Sequence, residues 1–91
     1  MSAEAETIAA KALAWIAGQD DLLNVFMGSA GLSAGDIRAR ASEPEFLASV
    51  LDFLTMDDQW VIGFCDAEGL PYDAPMRARM SLPGGDLPNW T

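Results

Sequence analysis

The chain has 91 residues, of which 51% are hydrophobic, and a formal net charge of -9 from fourteen acidic and five basic side chains. That length allows one domain, burying about two thirds of the surface its unfolded chain exposes. The charge argues against nucleic acid and anionic membranes as partners, because affinity for either is carried mainly by lysine and arginine. A basic protein partner fits it better.

The chain reads as all-α, with six short helices. Over residues 3–17, Ile8, Ala12, Trp15 and Ile16 recur at helical spacing, and Gly18 is read as the stop in the left-handed cap conformation. Asp20 and Asp21 are read as N-caps of a second helix whose inner face carries Leu22, Val25, Phe26 and Ser29, ending at Gly31. Ser33 and Asp36 form a capping box that opens a third helix over about 34–41. Ser42, Glu43, Pro44 and Glu45 form a second box before the fourth helix. That helix carries Phe46, Leu47, Val50, Leu51, Phe53 and Leu54, the most apolar stripe in the chain, and is expected to be the central one. Asp57 and Asp58 cap a fifth helix with Trp60, Val61, Phe64 and Cys65 inward and Gly69 as its end. Residues 73–81 are expected to form a sixth, its start confined by Pro71 and Pro75. The domain is thus 1–81, and 82–91 is an irregular tail rich in proline and glycine.

A shift of 38 residues sets Gly31-Leu32 on Gly69-Leu70, Asp20 on Asp58, Phe26 on Phe64 and Ile16 on Leu54. One inserted residue near Pro75 then aligns Arg38-Ala39-Arg40 with Arg77-Ala78-Arg79. Residues 8–41 and 46–80 therefore read as two pseudo-repeats of three helices, within the range of helical repeat units. Convergence of two amphipathic segments in an alanine-rich chain is the competing account.

The segments ALAWIA (residues 12–17), GLSAGDIRARA (31–41), FLASVLDFL (46–54) and LPGGDLPNWT (82–91) carry a resemblance over essentially the whole chain. It is similar to an uncharacterised family of small alphaproteobacterial proteins, a domain of unknown function. The resemblance implies an all-helical bacterial protein and brings no catalytic residue with it.

Chemistry is scarce. There is no histidine, so the single cysteine, Cys65, has no imidazole to activate it, and its helical phase places it inward. One cysteine forms no intrachain disulfide, the start MSAEAET lacks a signal pattern, and the longest uncharged run, residues 22–35, is too short for a bilayer. A cytoplasmic protein without cofactor or bound metal is expected. The paired acids Asp20/Asp21, Asp57/Asp58 and Glu43/Glu45 all precede helices, where carboxylates meet the positive dipole end. The glycines lack a phosphate-loop lysine. No enzyme is expected.

Two sets of residues remain as candidate sites. Arg38, Arg40, Arg77 and Arg79 are four of the five basic residues. With Ile37 inward, Arg38 and Arg40 fall about 100° and about -60° away, flanking the Ile37/Ala41 stripe. The second pair is expected to flank Met76 and Met80 in the same way. Such arginines are read as clamps onto neighbouring carboxylates, or as a candidate anion site. Met27, Trp60, Met80 and Trp90 are the candidate interface residues. The most favoured role is a protein–protein interaction or self-association module, a homodimer included. An anion- or small-ligand-binding regulatory domain on the four arginines is the alternative. The tail, with Leu87 and Trp90, is expected to pack back rather than stay free.

Overall fold

A computed structural model describes residues 2–82. It contains six helices: α1 (Ser2–Ala17), α2 (Asp20–Ala30), α3 (Ala34–Arg40), α4 (Pro44–Leu54), α5 (Asp58–Glu68) and α6 (Ala74–Ser81). No strand occurs among the described residues.

The helix ends follow local chemistry, with three departures from expectation. Ser33 Oγ accepts from the Asp36 N–H at 3.2 Å, while Asp36 Oδ2 accepts from the Ser33 N–H at 3.0 Å. The bonds from the Ser33 backbone and side chain hold the Asp36 carboxyl below its usual range. Asp57 caps α5 by accepting from the Gln59 N–H at 2.8 Å. Gly18, however, does not enter the left-handed region: positive φ among the described residues occurs only at Gly31 and Gly69. Its N–H bonds back to the Ala14 and Trp15 carbonyls, and α1 runs into the turn without a left-handed stop. Gln19, not an aspartate, is the N-cap of α2, which leaves Asp20 and Asp21 in the first turn. Glu43 caps α4 without a side-chain bond, so the box expected at Ser42 is not made; Pro44 opens the helix instead.

Three helices make the centre. α1 packs closely on both α6 and α4, α4 packs on α6, and α2 lies against α1. The α1 contact stripe is Ala5, Ala9, Ala12 and Ile16, all buried, and α6 answers with Ala74, Pro75 and Ala78. Small side chains on both faces let the two backbones approach closely. This reverses the expected phase of α6: Met76 and Met80 point outward, 60% and 59% exposed. Ala78, between Arg77 and Arg79, faces the core instead. α4 is the central helix as expected, with Val50, Leu51 and Leu54 fully buried. On α2, Leu22 and Phe26 are buried, but Val25 is 51% exposed and Ser29 is exposed, so the inner face is narrower than the sequence suggested.

Aromatic rings tie the outer helices on. Phe26 meets Phe53 at 5.1 Å and Phe46 at 6.0 Å between centroids, joining α2 to α4. Trp60 stacks on Phe53 at 4.8 Å, and Trp15 meets Phe64 edge-on at 6.2 Å, which seats α5.

The two glycine corners match closely. Gly31 and Gly69 both have φ 69° and ψ 34°. The following leucine N–H bonds back to Met27 O in one corner and to Cys65 O in the other, each at 2.9 Å. This is the Schellman pattern, with Leu32 and Leu70 half-buried beside it. Beyond the corners the halves diverge. α3 has no buried residue and is not among the closely packed pairs, whereas its counterpart α6 packs on both α1 and α4. Ala10 is exposed where Ala48 is buried. The likeness is one of joints and of core positions such as Phe26/Phe64 and Ile16/Leu54, not of packing.

Candidate functional site

Where α1 ends and α2 and α5 begin, the helices do not close on one another. A groove of about 450 Å³ opens there, lined by Trp15, Gln19, Asp21, Leu22, Val25 and Trp60. The short turn at Gly18-Gln19 sets α2 beside the end of α1, and the Asp57 cap aims the first turn of α5, with Trp60, at the same place. Both tryptophans are braced from behind, Trp60 by Phe53 and Trp15 by Phe64. The Trp15 ring also lies close over the α5 backbone at Gly63, where a Cβ would come within 3.0 Å of Cζ2. The walls are therefore packed aromatic surfaces, and Val25 lines the same groove while 51% exposed. Apolar lining with a carboxylate and an amide at the rim suits an apolar side chain brought in by another molecule.

A second cavity of about 440 Å³ lies between the start of α1 and α6, with Ile8, Leu70 and Pro71 in its walls and Glu4 and Arg77 beside them. Its lining is mostly small side chains and it holds no aromatic ring.

The four arginines are not one cluster of free cations. Arg79, with 18% of its side chain exposed, donates through Nε and Nη2 to the two carboxylate oxygens of Asp52, the second bond at 2.9 Å. This fork ties α6 to α4; the clamp reading took all four arginines alike, and Arg79 is the one that reaches a carboxylate of another helix. Arg77 is exposed and lies 3.4 Å from Asp73, four residues back. Arg38 and Arg40 are exposed in the last turn of α3, with Ile37 and Ala41 half-buried between them.

Of the four interface candidates, Trp60 lines the groove. Met27 is half-buried on α2 and Met80 stands on the outward face of α6; neither lines it. Trp90, with the whole stretch 83–91, lies outside the described residues. Periodicity places Trp15 and Val25 on inner faces, and only the packing reveals them as groove walls. The signal in the sequence is a tryptophan in the last turn of α1 and another in the first turn of α5.

Cys65 is fully buried, and its Sγ donates to the Pro71 carbonyl at 3.3 Å. Burial first, then the charges of Asp66 and Asp73, push its thiol pKa up, so the sulfur is held protonated. Nearby, the Tyr72 hydroxyl donates to Asp66 Oδ1 at 2.7 Å, which together with that charge raises the phenol. Among the described residues no three His, Cys, Asp or Glu side chains are grouped to hold a metal ion, and no helix is long and apolar enough to cross a membrane.

Fold and site together define a small all-α protein: a core of three helices carrying an open, tryptophan-walled groove. Residues 2–85 match the family model described as "Protein of unknown function (DUF3572)", and the chain belongs to that family. No curated protein and no solved structure matches it.

Proposed function

We propose that this protein is a binding module that takes an apolar segment of another protein into the groove walled by Trp15 and Trp60. The observation that carries this is the half-exposed Val25 in one lining with two braced tryptophans. Aromatic side chains on a preformed surface supply large contact area at little entropic cost, the usual make-up of an interface centre. A buried, protonated thiol and the absence of histidine leave catalysis out of this reading, and a lone thiol suits a reducing compartment, the cytoplasm.

The test is a photo-crosslinking amino acid placed at Val25 in the full chain, with one at exposed Ala39 as the comparison, both expressed in a bacterial cell. Defined adducts at position 25 that are absent at position 39 are expected. Equal adducts at both positions, or none at 25, would overturn the proposal.

Self-association is the second reading, favoured by Met76 and Met80 side by side on the outward face of α6. Sedimentation of the wild type and of a Met76→Glu/Met80→Glu variant tests it: a dimer lost in the variant supports it, and a monomer throughout removes it. Anion binding has less support, since Arg79 and Arg77 already face carboxylates.

A further inference from the structure

The groove has a chemical bias, which narrows the class of partner. The three helices that wall it carry seven carboxylates, two on α1, two on α2 and three on α5, against one basic residue, Lys11. All four arginines sit on the other helices, α3 and α6. Asp21 lies in the lining, and Asp57 and Asp58 stand three and two residues before Trp60 in the chain. Lys11 is one turn before Trp15 on α1 and is outside the lining. The lining thus holds one carboxylate and no basic residue, on a protein already acidic overall.

The aromatic geometry adds a second feature. Trp60 stacks one ring face on Phe53, with 27° between the planes, and is itself part of the groove lining. An indole face attracts an ammonium or guanidinium group, and a nearby carboxylate reinforces the attraction.

Building on the docking reading, we propose that the occupant is a cationic, apolar segment of a partner protein. A bulky apolar side chain sits on Leu22 and Val25, and a lysine or arginine within a helical turn of it lies over Trp60, facing Asp21. Charge complementarity of this kind selects partners and speeds encounter more than it adds affinity.

Three synthetic amphipathic peptides with the same leucines and either Lys, Gln or Glu at the polar positions test this, titrated against the full chain by fluorescence anisotropy. At low salt the Lys peptide is expected to bind about tenfold more tightly than the Gln peptide, from contacts of cation–π and ion-pair strength. The margin should shrink as salt screens it. Trp60→Leu and Asp21→Asn should each weaken the Lys peptide several-fold. Glu45→Gln, the same charge change at an exposed position in the first turn of α4, should leave it unaltered. Melting curves establish that each variant is folded. If Gln and Lys peptides bind equally and Val25→Asp abolishes both, the cationic partner is wrong and the groove reading stands. If no peptide binds, or Val25→Asp leaves binding of the Lys peptide intact, both fall.

Discussion

Gly31 and Gly69 show what single residues contribute here. Each ends a helix at φ 69°, and an added Cβ at either meets nothing within 4 Å, so only the backbone conformation demands glycine. Alanine at either position should therefore cost about 1 kcal/mol, the penalty of holding an L-residue in the left-handed region. Because the corners share their geometry, the two losses should agree closely. Denaturant midpoints of Gly31→Ala and Gly69→Ala measure this, and a cost at one position only would show that the corners are not equivalent. These glycines, with Ser33, Asp36 and Asp57, were legible from the sequence because caps and left-handed corners are decided within four or five residues. Gly18 departs from the left-handed stop that its position suggests, since the same residue type also serves where the chain simply continues its turn.

At the scale of the element, α6 is the instructive case. Its sequence, APMRARMS, offers two phases: methionines inward with arginines flanking, or alanines inward with methionines out. Hydrophobicity favours the first. The second prevails because α1 presents a stripe of alanines, and two small-residue faces pack at shorter distance than Met against Ala permits. The phase also places Arg79 beside Asp52. That fork joins two helices at a largely buried guanidinium, although Asp52 remains 56% exposed and solvent weakens the pair. Arg79→Ala is expected to cost about 1 kcal/mol, and Arg77→Ala, at an exposed pair, less than about 0.5 kcal/mol. A double-mutant cycle with Asp52→Asn should show coupling for Arg79 and none for Arg77. The reverse order would place the clamp on the wrong arginine.

For the whole molecule, stability concentrates where α1, α4 and α6 meet. Leu51 is fully buried there, and Leu51→Ala should cost about 3 kcal/mol. Domains of this size have about 5–15 kcal/mol in total, so the variant should sit close to its unfolding threshold at physiological temperature. Met76→Ala, at a residue 60% exposed, should change the urea midpoint little. Comparable losses at both positions would mean that α6 packs with its methionines inward after all. Four aromatic contacts tie the outer helices α2 and α5 to the core, and the groove they leave is lined by Val25 and both tryptophans.

By itself the sequence determined the all-α class, the six helices to within a residue or two, the central position of α4 and the burial of Cys65. Those properties follow from periodicity and from capping groups a few residues apart. Tertiary structure decided the phase of α6, the unequal packing of the two halves, and which apolar residues stay uncovered. A helical wheel marks the apolar side of a helix but not how wide a strip its neighbours cover. Trp15 and Val25 look like core until α2 and α5 are placed and leave the space between them open.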